Sequence, residues 1–277
     1  MPRVKVNGVD LYYEVTGDGF PLVLSHEFAG TYKSWEPQVR FFSRRYQVIT
    51  YNHRGFPPSD VPEKASDYSQ DMLVADLYQL LRYLGINEAY VGGCSMGGNI
   101  ALNFGIAHPE MTRALIIVSA GAGTTGRDAF VPKLEGMARQ VETIGWQKLA
   151  EQYAQEPNRI QLKRKDPRAW QEFVDDLAAH SNEGSVQLIR EAIIKRPPVS
   201  ELSARLKQLK IPALIMIGDE DEMCLDPALI MKKHLPGAGL LVFPQSGHAI
   251  NLEEPDIFNR ALLDFLTAVE SGKWVIR

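Results

Sequence analysis

A chain of 277 residues with 45% hydrophobic and 23% charged side chains has ordinary globular make-up and can bury one large core, which excludes disorder, collagen and coiled coil. Its 30 Lys and Arg stand against 34 Asp and Glu, a formal charge of -4, so no surface is built to neutralise a phosphate backbone and nucleic acid is excluded as the main partner. Two cysteines, Cys94 and Cys224, make no disulfide framework, no stretch approaches the roughly 18 consecutive apolar residues of a membrane span, and the N-terminus lacks a signal-peptide core; a cytoplasmic protein without membrane contact is expected.

Along the chain, Asn7-Gly8 lies between Arg3-Val4-Lys5-Val6 and an alternating run with Val9, Leu11, Tyr13 and Val15 on one face, the pattern of a two-residue hairpin. Six short apolar runs bounded by turn residues follow, at Leu22–Leu24, Tyr46–Ile49, Ala89–Val91, Ala114–Val118, Ala213–Ile217 and Leu240–Phe243. Their lack of alternation predicts strands buried on both faces. Helical patterns separate them, the clearest carrying Leu73, Leu77, Leu80, Leu81 and Leu84 on one stripe with Gly85 as the stop. Strand and helix alternate, so the sheet should be mostly parallel.

From Thr124 to Lys210 the rhythm breaks: only helical pieces occur, among them one opened by Asp166-Pro167 as N-cap and first-turn proline. Such an insertion is too long for a crossover and reads as a lid over one end of the sheet. The basic run Lys163-Arg164-Lys165 within it reads as a solvated helix face. Residues 1–123 and 211–277 then form the core and 124–210 the cap. A last helix, from about Asp256 to Val269, should turn Ile257, Ala261, Leu262 and Phe265 inward.

Gly93-Cys94-Ser95-Met96-Gly97 fits G-x-S-x-G between a strand signal and a helical one. A sharp strand-to-helix turn forces the serine into a strained backbone, and glycines two residues to either side relieve the crowding. The hydroxyl then projects at a helix N-terminus, where backbone N–H groups favour developing negative charge. Serine is a weak nucleophile and needs a base oriented by an acid. Of six histidines, His248 follows the last strand run in Ser246-Gly247-His248, and loops after successive parallel strands collect at one edge. The acid should come from Asp219-Glu220-Asp221-Glu222, after the penultimate strand.

Ser95, a carboxylate of that loop and His248 stand in the order Ser, Asp, His, and here the sequence resembles the α/β-hydrolase family over essentially its whole length. Tyr51-Asn52-His53-Arg54-Gly55 with Ser59, the serine turn, Gly218–Asp221 and Ser246–His248 look like successive family landmarks. The resemblance implies an α/β-hydrolase fold, with an eight-stranded, mostly parallel sheet, flanking helices and a helical lid insertion. It singles out Asp221 as the acid, and the backbone N–H groups of Met96 and Phe28 as the oxyanion hole. Glu27 departs from the pattern, standing where many members carry glycine; a carboxylate there opposes an oxyanion unless it points away or is paired. Cys94 should face away from Ser95.

Two further patterns lead elsewhere and are set aside. Gly121–Gly126 matches G-x-G-x-x-G but lacks the following strand and acid of a dinucleotide site, and His26-Glu27 begins H-E-x-x-H with Gly30 in the second histidine's place. No cofactor and no metal are expected. The activity implied is hydrolysis of carboxylic esters through an acyl-enzyme, on small to medium substrates with an apolar rather than a charged acyl or alcohol moiety. Phe130, Met137, Trp146, Tyr153, Trp170 and Phe173 supply apolar surface for a pocket, though most should be lid core. Ser34–Gln38, Val48–Tyr51 and Arg54-Gly55-Phe56 resemble the branch of arylesterases and cofactor-free perhydrolases, so peracid formation, like haloperoxidase-type chemistry, is an alternative; so are lactone and carbon–carbon bond hydrolysis. A hydrolase-fold ligand receptor is the alternative from another class.

Overall fold

The structure, a computed structural model, describes residues 2–277. Asn7 and Gly8 take φ of 48° and 81°, the backbone a two-residue turn needs to match strand twist. The turn pairs β1 (Arg3–Val6) antiparallel with β2 (Val9–Thr16), Val6 opposite Val9. The sheet continues with β3 (Phe20–Ser25), β4 (Tyr46–Tyr51), β5 (Ala89–Cys94), β6 (Thr112–Val118), β7 (Ala213–Gly218) and β8 (Ala238–Phe243). The eight strands lie in the order β1-β2-β4-β3-β5-β6-β7-β8, antiparallel as far as the β2–β4 pair and parallel from β4 to β8. This is the α/β-hydrolase fold anticipated above.

Alternation within the central strands feeds two cores. Val23, Val91, Ile117 and Ile215 pack with the helices Gln70–Tyr83, Met96–Ala107 and Glu222–His234 on one face. Leu22, Leu24, Tyr90, Ile116 and Met216 pack with Phe42 of the helix Glu36–Phe42 and with the helix Pro255–Glu270 on the other. Each central strand is therefore buried twice, which explains its unbroken apolar run.

Three expectations need correction. β8 is not buried on both faces: it is the sheet edge, and Val242 is 44% exposed. In the last helix Leu262 and Phe265 point inward as expected, but Ile257 faces solvent at 52% exposure, and Phe258, Leu266 and Val269 complete the buried stripe because this spacing places more apolar surface on one face. The run 163–165 is not simply solvated: Lys165 Nζ donates to Ser246 Oγ at 2.8 Å and pairs with Glu254 at 2.6 Å, while Lys163 lies 4.1 Å from the Trp170 ring centroid.

Between β6 and β7 the chain is helical, from Arg127–Ile144 through Trp146–Tyr153, Ile160–Lys165, Pro167–Ala178 and Asn182–Gln187, then a π-helical turn at Leu188–Ile193. Asp166 caps the fourth of these helices, accepting from the Arg168 and Ala169 N–H groups. The loops that follow β3, β5, β7 and β8 gather at one edge of the sheet, as parallel topology requires.

Candidate active site

Ser95 links β5 to the helix Met96–Ala107 with φ 54° and ψ -110°, a region that residues with a Cβ rarely occupy. The neighbouring glycines make the turn feasible. A Cβ on Gly93 would lie 2.3 Å from the Gly97 carbonyl carbon, and one on Gly97 would lie 2.1 Å from the Ser25 carbonyl oxygen. Cys94 faces the opposite core, its thiol 3.6 Å from the His248 carbonyl.

The structure brings Asp221 and His248 together. Asp221 Oδ2 lies 2.7 Å from His248 Nδ1, both side chains buried. Burial alone would push the Asp221 carboxyl up, but the charge and hydrogen bond of His248, with the Asn158 amide 3.4 Å from Oδ1, hold it below its ordinary value. Burial likewise disfavours the imidazolium, and the Asp221 charge and hydrogen bond reverse the effect, so His248 is raised. Of the neighbouring acids, Asp219 accepts the Ser246 N–H, Glu220 accepts the Gln161 amide and Glu222 is exposed.

The histidine loop is fixed from both sides. Glu253 accepts the Gly247 N–H at 2.6 Å and the Ala249 N–H at 3.0 Å, and the His248 N–H donates to the Asn158 carbonyl at 2.8 Å. The Ser95 hydroxyl makes no hydrogen bond to His248 or another described residue; such contacts are often loose before substrate is bound. Ser95, His248, Phe28 and Met96 nevertheless line one cavity of about 920 Å³.

Glu27 does not oppose that cavity uncompensated, because Arg159 of the helical insertion binds it through two hydrogen bonds, Nη1–Oε1 at 3.1 Å and Nη2–Oε2 at 2.6 Å. Burial would raise Glu27, and the Arg159 guanidinium overrides it to lower the carboxyl. Arg159 also lies against the Tyr153 and Phe173 rings. Glu27 Oε2 remains 3.9 Å from His248 Nε2, so it acts on the imidazole from the side opposite Asp221. Nothing in the sequence linked Arg159 to a residue 132 positions earlier.

The Phe28 loop is riveted to the loop after β4. His26 Nδ1–H donates to the Glu27 carbonyl at 2.7 Å and its Nε2 accepts the His53 N–H at 3.2 Å, while His53 Nε2–H donates to the His26 carbonyl. Both rings are held neutral, His26 well below the ordinary value and His53 at about 4, because burial penalises their charged forms. Neither the Phe28 nor the Met96 N–H is engaged by a described residue, leaving two donors on the cavity wall.

Phe130, Met137, Trp146 and Tyr153 also line the cavity, whereas Trp170 and Phe173 are buried within the insertion. Among the described residues, the one cluster with metal-ligand atoms in reach of one another is Asp221, Cys224 and His248, within 4.8 Å. Burial and the Asp221 charge push the Cys224 thiol well up and its Sγ donates to the Ser119 carbonyl, so the trio suits a hydrogen-bonded acid–imidazole pair better than a thiolate site. No helix among the described residues is long and apolar enough to cross a membrane.

The sheet order, the strained serine turn and the buried acid–imidazole pair define a hydrolase of the α/β type. The sequence model described as the alpha/beta hydrolase fold matches residues 21–255, and the chain belongs to that family. The 2-hydroxy-6-oxononadienedioate/2-hydroxy-6-oxononatrienedioate hydrolase of Paraburkholderia phymatum is 28% identical, across 95% of this chain and 94% of its own. Among solved structures, an esterase from Exiguobacterium antarcticum superposes with a TM-score of 0.81 at 25% identity, covering 96% of this chain and 98% of its own. A bromoperoxidase from Bacillus anthracis gives 0.83, also at 25%, covering 96% and 99%.

Proposed function

We propose that the chain is a carboxylic ester hydrolase working through an acyl-enzyme on Ser95. The observation that carries this reading is the buried His248–Asp221 pair, 2.7 Å apart, whose imidazole lines the same cavity as a serine on a strained turn. His248 Nε2 takes the hydroxyl proton as Ser95 Oγ attacks the ester carbonyl, and Asp221 holds the ring and stabilises its charged form. The Met96 and Phe28 N–H groups receive the tetrahedral oxyanion. The alcohol departs with the proton from His248, and water activated by the same ring then attacks the acyl-enzyme, releasing the acid and Ser95. Residues 124–210 act as a cap whose apolar side chains seat the body of a small-molecule substrate.

Ser95→Ala should lower turnover of a 4-nitrophenyl ester by about 10⁴-fold or more without changing the melting temperature appreciably. Turnover that survives would refute the nucleophile. The likeness to a bromoperoxidase along nearly the whole chain favours a second reading of the same site, in which hydrogen peroxide replaces water and the acyl-enzyme yields a peracid and free serine. Peracid formation from acetate ester and peroxide, lost in Ser95→Ala, is its test.

A further inference from the structure

Arg196 stands out on the cavity wall. It follows the π-helical turn at the end of the insertion and precedes Pro197-Pro198; it is 8% exposed, and its Nη2 donates to the Ala122 carbonyl at 2.9 Å. That single hydrogen bond uses one of five N–H donors. Among the described residues, no carboxylate lies within 4.0 Å of the guanidinium. Its Nε and Nη1 have no partner among those residues, yet neither is sealed from solvent.

The other cations on this wall differ. Arg159 is neutralised by Glu27, Lys133 pairs with Glu156 at 2.8 Å, and Lys148 is exposed. Burial lowers the Arg196 guanidinium to about 10, against the raising influence of Cys224 and with a smaller lowering by the like charge of Arg127, so it is still protonated at neutral pH. Arg127 also donates to the Ile194 and Arg196 carbonyls, which fixes the backbone carrying the guanidinium. A buried, backbone-fixed cation without a counter-charge is expensive unless an anion completes it.

We propose that Arg196 is the seat for a carboxylate on the substrate, so that the preferred ester has an apolar body and one ionised carboxyl group remote from the scissile bond. The planar fork suits a carboxylate, and the apolar side chains of the same cavity, Phe130, Met137 and Ile193 among them, suit the methylenes between the two groups. The apolar moiety expected from the sequence thereby gains one charged end. This inference rests on the hydrolase reading for the position of the ester, and on the cavity alone for the carboxylate.

The test compares 4-nitrophenyl hexanoate with the mono-4-nitrophenyl esters of glutaric, adipic and suberic acids, in the wild-type chain, Arg196→Gln and Arg196→Lys. Glutamine keeps a donor for the Ala122 carbonyl while removing the charge. The kcat/KM ratio of the best carboxylate ester to the neutral ester should exceed unity in wild type, carried by KM. It should fall roughly ten- to hundredfold in Arg196→Gln and recover in part in Arg196→Lys. A ratio that is no higher than unity in wild type, or unchanged in Arg196→Gln, overturns the proposal. Should wild type turn over none of the esters, the hydrolase reading fails separately. Calorimetric titration of Ser95→Ala with the same ligands still decides the anion seat: tighter binding of a carboxylate ester, lost when Arg196→Gln is added, sustains it, and equal or absent binding overturns it.

Discussion

The Glu27 carboxylate and the His248 imidazole face one another across 3.9 Å, close enough for the acid to raise the ring alongside Asp221. As the proposed base, His248 must be neutral to act, so kcat/KM should climb with pH through a value above that of an ordinary histidine. Glu27→Gln removes a negative charge and leaves Arg159 positive, so the acid limb should move to lower pH; a pH profile of kcat/KM checks this, and an unmoved limb would contradict it. The same substitution strands a buried guanidinium at a cost of ~3 to 5 kcal/mol, and adding Arg159→Met should restore much of that stability in denaturant titration. That Ser95 and His248 line one cavity, with a carboxylate of the Asp219–Glu222 loop on the imidazole, was legible because a turn motif and chain order constrain where these residues lie. Glu27 was legible as a departure, but its partner was not: only the folded insertion brings Arg159 to it.

At the scale of single elements, the turn at Ser95 and the last helix are the sharpest cases. Gly97→Ala drives a Cβ against the Ser25 carbonyl, which should cost roughly 3 kcal/mol and displace the Met96 N–H, visible as a loss of kcat larger than the change in KM. In the helix Pro255–Glu270, Leu262→Ala should cost ~2 to 5 kcal/mol and Ile257→Ala under about 0.5, measured by denaturant melts. The helix and the inward Leu262 and Phe265 were legible, but its first turn was ambiguous, since Ile257 and Phe258 both fit the period and packing against Phe243 and Trp35 selects Phe258. The exposure of β8 was illegible for a related reason: an edge strand carries the same apolar letters as a central one, and its position depends on what lies beyond it.

Across the whole molecule, three neutral histidines sit near the edge where the insertion meets the sheet. His53 and His180 are pushed down to about 4 by burial, and His26 lies well below its ordinary value; His180 has no partner for either ring nitrogen among the described residues and packs on Phe56. Each folded value lies below the unfolded one, so between them the unfolded chain binds more protons and stability is lost as pH falls from about 6.5 towards 4, by roughly 3 kcal/mol each for His53 and His180. Scanning calorimetry should show this slope, and His180→Leu should flatten it; a slope unaffected by the change would remove His180 from the account. The seat of the insertion was not legible, because it depends on contacts such as Asn158 with His248 and Lys165 with Ser246 that join distant segments. That the core and insertion together build one reacting centre is tested most directly by quenching the protein during its first turnover of a 4-nitrophenyl ester and mapping the product by mass spectrometry. The acyl group should be found on Ser95, together with a stoichiometric burst of nitrophenolate; steady turnover with no acyl group on Ser95 would contradict the account.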